Sequence, residues 1–522
     1  MFWADSIAED IIQKNPDKKK FIIRDEKTLS GRVHVGSLRG VVIHGLVAQA
    51  LQERGKEAEY YFEFNDFDPM DGLPVYLDEE KYKPYMGQPL YTVPSPDPAH
   101  KNYAEYFGAE FLEVINRLGF TPKIIRGSDL YLSGKYNKWI EKIIAHPAEI
   151  RKIYKEVSGS QKPDDWYPLQ VICEKCGKVG TTKVTGVKGD KVTYKCEPDM
   201  VKWAQGCGHE GEVNPYDGRS KLPWKAEWAV KWCGLPVDIE GSGKDHNAAG
   251  GSHQIASRIC KEILEMPVPY NIPYEFFLIE GAKMSSSKGR GSSSKEIADL
   301  LPPELTRFLM IKNQPKHPID FNPEGSTIPV LFDQFDQAAE QFFADAPTNQ
   351  DQVRLFHYSQ VSDKAPKKHY MPRFTRVIFF LQMPHMDAEK EIAELKGDKL
   401  TTEDKEEIKT RVEYGKKWLD SYAPAAFVFE IQKELPKITL SPAQKEFLSG
   451  IAKIMKGDDL KGEALHAKIH ELRKSSTIEA REAFQAIYLA LLGKDSGPQA
   501  GWFLEALDKD FVVQRFEEAA KQ

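Results

Sequence analysis

The sequence predicts an α/β protein: an N-terminal doubly wound parallel sheet carrying a small cysteine-bearing insertion, followed by an all-α C-terminal domain. Three observations predict it. The apolar stretch Phe21-Ile22-Ile23 runs into a glycine-bearing loop, Ser30 to Ser37, and then into a segment where Leu38, Val42, Leu46 and Ala50 recur at helical spacing. The aromatic stretch Tyr60 to Phe64 follows, so strand, loop, helix and strand complete a βαβ unit. Four of the six cysteines, Cys173, Cys176, Cys196 and Cys207, fall in one short segment. Beyond residue 289 the pattern turns helical, at Lys295 to Leu301, Pro303 to Lys312 and Leu331 to Phe343, punctuated by Pro302-Pro303 and by Pro315 to Pro318.

The expected organisation is a sheet domain over 1–289 with the insertion at about 165–215, a helical region over 290–344 and an all-helical domain over 345–522. With 522 residues, 41% hydrophobic and 29% charged, the chain can build several cores. No apolar run approaches the roughly 20 residues that span a bilayer, and no secretory signal is read at the start, so disulfides are not expected. A net charge of -6 is not that of a simple nucleic-acid binder, yet whole-chain charge can hide a local basic face. From Lys135 to Lys162 seven Lys and Arg stand against three Asp and Glu. The charged stretch Glu389 to Lys409 reads as a solvated helix pair.

Two segments carry phosphate chemistry. In Gly31-Arg32-Val33-His34-Val35-Gly36-Ser37 the glycines permit close backbone approach, and the following helix N-terminus favours an anion at a strand end. Gly281-Ala282-Lys283-Met284-Ser285-Ser286-Ser287-Lys288-Gly289 sets two lysines around a hydroxyl-rich turn directly after Phe276 to Ile279. Such a cationic clamp suits a triphosphate whose charge builds up during attack at phosphorus. Gly243-Lys244 is no P-loop, because Asp238 stands where the first glycine belongs and Asp245 where Ser or Thr belongs. Cys173-x-x-Cys176 with Cys196 and Cys207 reads as a zinc ribbon, four thiolates closing a tetrahedral site, with His209 as substitute for one ligand. Cys233 and Cys260 read as buried apolar residues.

With these residues in view the chain resembles a class I aminoacyl-tRNA synthetase. His34-Val35-Gly36-Ser37 matches the HIGH signature and Lys283 to Ser287 the KMSKS signature, with Ser37 and Ser286 departing from the consensus and the second lysine displaced to Lys288. Lys221 to Trp228, Gly243 to Ser252, Asn65 to Pro69, Ile272 to Phe276 and Ala500 to Leu504 are similar to the class I, archaeal-type lysyl-tRNA synthetases, and the resemblance runs nearly end to end. It implies a Rossmann-like, HUP-type catalytic domain, a stem-contact region and a C-terminal anticodon-binding domain. It further implies lysine, tRNA(Lys) and ATP with Mg²⁺ as ligands, a cytoplasmic setting and a monomer.

By resemblance, His34, Ser37, Lys283 and Lys288 are catalytic, and His34, Gly36, Ser37, Lys283, Ser285, Ser286 and Ser287 contact ATP. Thr28, Trp224, His246 and Tyr274 would contact the amino acid. A lysine side chain needs aromatic walls and a counter-charge; Trp224, Trp228 and Tyr274 can supply walls, and Asp66 or Glu26 the charge. Trp228 and Trp232, four apart, also fit a core helix face. The family's second metal site survives only as Asp97 and His100, with Ala99 and Tyr106 replacing the other ligands, so hydrogen bonds or packing are expected there instead. A class I enzyme for another amino acid, a related nucleotidyltransferase and an inactive RNA-binding paralogue are the alternatives.

Overall fold

The computed structural model describes all residues except 280–281, 284–292, 363, 384–385, 426, 458–459 and 461, and the side chains of Ala282 and Lys283. A parallel sheet of five strands organises the first half: β1 (Lys20–Thr28), β2 (Glu57–Asn65), β3 (Lys123–Arg126), β4 (Ile239–Gly243) and β5 (Tyr270–Tyr274), in the order β5-β4-β1-β2-β3. β1 pairs with β2 from Lys20 against Glu57 to Thr28 against Asn65, and its other edge meets β4 at Ile23 and Ile239. The chain thus moves outward from β1 in one direction and later returns to its opposite side. Ligands bind at such a switch point, at the carboxyl ends of the strands.

Between β1 and β2 runs helix α1 (Gly36–Glu53), whose Leu38, Val42, Leu46 and Ala50 are all buried. These are the residues whose helical spacing marked it. Helix α2 (Trp224–Gly234) precedes β4 and buries Trp228 and Trp232 in a cluster with Tyr131, Leu222, Ile255 and Ile259. A second sheet follows β5: β6 (Phe277–Ile279) pairs antiparallel with β7 (Ala282–Lys283) and parallel with β8 (Ile319–Phe321). The cysteine segment forms a three-stranded antiparallel sheet, Thr182–Lys188, Lys191–Cys196 and Glu210–Val213. Its base is closed where Gln170–Val171 pairs with Ser220–Lys221.

The chain divides into two compact units, one comprising Met1–Phe321 with Gln337–Ala365, the other Asn322–Asp336 with Pro366–Gln522. No helix among the described residues is long and apolar enough to cross a membrane. The second unit is helical, with a core that includes Leu448, Ile451, Ile487, Leu491, Phe503, Leu504 and Phe516. Phe503 and Leu504 give the segment Ala500 to Leu504 a packing role. The charged stretch is indeed a helix pair, Ala388–Lys396 and Thr402–Ser421.

One ion cluster in this unit is buried. Arg411 donates to Asp336 at 2.5 and 2.9 Å, to Glu407 at 2.5 Å and to the Pro372 carbonyl at 2.7 Å. Burial raises the Glu407 carboxyl, but Arg411 and His369 outweigh it and hold it at about 2, below its ordinary 4.5. A depressed carboxylate stabilises the fold above its unfolded value and loses that contribution as pH falls through the folded one. Stability of this unit is therefore expected to decline between about pH 4.5 and pH 2, and Glu407→Gln should flatten the decline when unfolding is followed by circular dichroism. An unaltered pH profile in the variant would contradict the assignment.

Candidate active site

A cavity of about 320 Å³ opens at the switch point. Its lining comes from the end of β1 (Asp25, Glu26, Lys27, Thr28), the loop into α1 (His34, Gly36, Ser37), Trp224 and Trp228 of α2, Glu240 to Gly243 of β4, Asp245 and His246, and Tyr274 to Phe277. The loop is wound as a first helical turn, Ser37 N donating to His34 O at 3.0 Å and Leu38 N to Val35 O at 3.0 Å. A Cβ at Gly36 would lie 2.9 Å from His34 Nδ1, so any larger residue there would displace the His34 ring. The N-terminus of an 18-residue helix thus faces the cavity, where its dipole and amides favour phosphate.

Aromatic rings form one wall. Trp224 stacks on Trp228 at 5.3 Å and 22°, and His246 sits 5.0 Å from the Trp224 ring. Trp232 is not part of the lining; its indole donates to Glu240 Oε2 at 2.5 Å, and that of Trp228 to Oε1 at 3.0 Å. Thr28 gives its hydroxyl proton to Asp68 at 2.6 Å. The same oxygen takes the Asn65 side-chain amide at 3.5 Å, and its remaining lone pair can accept a substrate N–H.

Behind the wall lies a buried ionic network. Arg24 on β1 pairs with Glu26 at 2.6 Å, Glu63 at 2.7 Å and Glu240 at 2.9 Å. Lys231 pairs with Glu26 at 2.5 Å and Glu63 at 2.9 Å, and Lys221 with Glu227 at 2.7 Å and Asp68 at 2.8 Å. Asp66, one of the two expected counter-charges, is elsewhere. It lies outside the cavity lining, and its carboxylate takes the Ser128 amide and hydroxyl at 2.7 Å each, holding the first turn of the helix Gly127–Leu132. Glu26, the other one, lines the cavity.

The cationic clamp is bracketed from both sides. β7 brings Lys283 opposite Leu278 of β6, and Ser293, on the far side, forms an antiparallel bridge with His34 while Ser294 N donates to Val33 O at 2.8 Å. Ser285, Ser286, Ser287 and Lys288 lie outside the described residues, as does the Lys283 side chain. The described backbone on either side, at Lys283 and at Ser293, is tied to elements at the cavity rim.

A family model described as tRNA synthetases class I (K) matches residues 1–362, and one described as anticodon binding domain matches 377–520. The chain is 34% identical to a lysine-tRNA ligase of Methanosarcina barkeri over 99% of its own length and 97% of that protein's. It is 33% identical to a lysine-tRNA ligase of Archaeoglobus fulgidus over 99% and 100% of the two lengths, and 31% identical to one of Methanosphaera stadtmanae over 98% of each. The chain belongs to the class I tRNA synthetases of the lysine (K) family.

Within this synthetase the four cysteines of the insertion converge. Their sulfurs all lie within 4.8 Å of one another, with Cys173 to Cys207 at 3.6 Å and Cys176 to Cys196 at 3.7 Å. Four thiolates about 2.3 Å from a tetrahedral ion stand roughly 3.8 Å apart, so the donor set fits such an ion. Cys176 and Cys207 are each followed by a glycine with positive φ, Gly177 at 71° and Gly208 at 73°, which turns the knuckle back on itself. At the remnant site Asp97 accepts from the His100 ring at 2.8 Å and from the Ala99 and His100 amides, and Tyr106 meets the His100 ring edge-on at 5.5 Å.

Several site residues escape sequence reasoning. Arg24, Glu63, Lys231 and Glu240 are charged residues within a strand or helix, and periodicity carries no sign that they pair in the interior. Arg39 of α1, buried and held at about 10 by that burial, donates to the carbonyls of Gln314, Pro315 and His317 and anchors the chain entering β8. His44 is pulled down by burial and up by Asp25, with a net upward direction. Its Nε2 nevertheless accepts the Gly241 amide at 2.6 Å while Nδ1 meets Gly40 O at 2.7 Å, so the ring is neutral with its proton on Nδ1.

Proposed function

We infer that the chain is a lysine-tRNA ligase, activating L-lysine with ATP and transferring it to the 3'-terminal adenosine of tRNA(Lys). The observation that carries this is a cavity lined by His34, Gly36 and Ser37, with His34 bridged to Ser293 beyond the lysine-serine segment, in a chain similar over its full length to lysine-tRNA ligases. In the first step a lysine carboxylate oxygen attacks the α-phosphorus of ATP, bound as its Mg²⁺ complex, and pyrophosphate leaves with the electrons of the broken P–O bond. His34, Gly36 and Ser37 lie against the phosphates, and Lys283, Ser285, Ser286, Ser287 and Lys288 balance the charge that gathers on them. In the second step the terminal ribose hydroxyl attacks the adenylate carbonyl, gives up its proton and expels AMP.

Thr28, Trp224, His246 and Tyr274 bind the amino acid, the rings covering its apolar stem. Cys173, Cys176, Cys196 and Cys207 hold one structural Zn²⁺, so the insertion is a zinc ribbon. Residues 290–344 contact the tRNA stem, and the helical region 345–522 reads the anticodon. The enzyme works as a monomer in the cytoplasm.

Aminoacylation provides the test. Radiolabelled lysine should become acid-precipitable on tRNA(Lys) and on no tRNA of unrelated anticodon. Equal charging of every tRNA, or of none, would defeat the reading.

A further inference from the structure

The network behind the cavity is short of positive charge. Arg24, Lys221 and Lys231 face Glu26, Glu63, Asp68, Glu227 and Glu240, three cations against five carboxylates, an excess of two. Buried carboxylates without full compensation are costly. Glu26 and Glu240 open this network to the cavity, so a cation bound there reduces the deficit. A lysine molecule carries two ammonium groups and one carboxylate, so binding it brings one net positive charge toward that deficit of two.

Which carboxylate receives the side-chain ammonium follows from what each oxygen already accepts. Of the five, only Glu26 and Glu240 line the cavity. Both oxygens of Glu240 already take donors within the protein, Oε1 from Arg24 and the Trp228 indole and Oε2 from the Trp232 indole. Glu26 is held through Oε2 alone, by Arg24 at 2.6 Å and Lys231 at 2.5 Å, and among the described residues Oε1 receives no donor. Thr28 stands two residues on, on the same face of β1, with its proton committed to Asp68.

We propose that Glu26 Oε1 binds the terminal ammonium of the substrate's side chain, with the Thr28 hydroxyl as a second acceptor, and that Glu26 thereby sets selectivity for a cationic side chain. Arg24 and Lys231 are positioning residues: they fix the carboxylate in one orientation and keep it ionised against the effect of burial. The proposal rests on the reading of this cavity as a lysine-activating site and adds the group that recognises the ε-nitrogen.

Lysine-dependent ATP-pyrophosphate exchange tests it with two substrates, lysine and norleucine, which lacks the ammonium. Removing one partner of a buried charge pair weakens binding by roughly 30-fold or more. Glu26→Gln should therefore raise the KM for lysine by at least that factor, leave the KM for ATP unchanged, and lower the preference for lysine over norleucine by the same factor. Equal weakening of both substrates would place the α-ammonium at Glu26 and overturn the proposal, as would an unchanged KM for lysine. Should Glu26→Gln not fold, Glu26→Asp withdraws the carboxylate by one methylene and should shift preference toward homolysine; an unshifted preference would overturn it too. Absence of lysine exchange in the unaltered protein would instead defeat the functional reading, so the two failures are distinguishable.

Discussion

Lys283→Ala is expected to lower lysine-dependent ATP-pyrophosphate exchange by about 10²–10³-fold, the usual loss when one preorganised group that stabilises transition-state charge is removed. The expectation rests on placement. β7 puts residue 283 opposite Leu278, next to the Phe276 and Phe277 that line the cavity, and Ser293 returns the chain to His34. The described residues on either side, 283 and 293, stand beside elements at the rim where the α1 N-terminus favours phosphate. In the proposed site lysine itself is held elsewhere, against Trp224 and the network. Its dissociation constant, measured by calorimetry in the absence of ATP, should therefore stay within about two-fold, a change below 0.5 kcal/mol. Loss of lysine binding together with exchange would mean that the substitution damages the amino-acid pocket and that the clamp assignment is wrong.

Removal of the zinc ligands is expected to have an effect of similar size by another route. Cys176→Ser should reduce bound zinc from one per chain to near none, measured by plasma mass spectrometry, because a closed thiolate site depends on every donor. The three short strands of the insertion have a small core, and metal binding is then part of folding free energy. The consequence should reach the active site. Ile172 N donates to Arg219 O at 2.9 Å and Gln170–Val171 pairs with Ser220–Lys221, so the insertion's base holds Lys221 against Asp68, which orients Thr28. The KM for lysine should rise while the KM for ATP does not. Full zinc content in the variant, or none in the unaltered protein, would contradict the assignment.

Much of this was legible in the residues. Phe21 to Phe64 announced strand, loop, helix and strand because both periodicities are long and clean, and α1 buries the very positions that repeat at helical spacing. The cysteine spacing likewise pointed to one cluster, since two glycine-backed knuckles leave the thiols little choice of partner. Less was legible where elements are short. β6, β7 and β8 have two or three residues each, too few for any period to register, and the second sheet was not expected. The ionic network was hidden for a different reason. Arg24 and Glu26 stand in Lys20–Thr28 as charges do on an exposed strand edge, and only the pairing of β1 with β2 and β4 turns them inward. Asp66 shows the converse: an acid in the right family segment whose carboxylate is spent on a helix terminus, leaving Glu26 at the cavity.

The central claim is that this cavity activates lysine. ATP-pyrophosphate exchange with each of the twenty amino acids in turn, with and without tRNA, tests it most directly. Lysine alone should support exchange above background. Exchange driven by glutamate, arginine or cysteine in its place, or by no amino acid under either condition, would contradict the account.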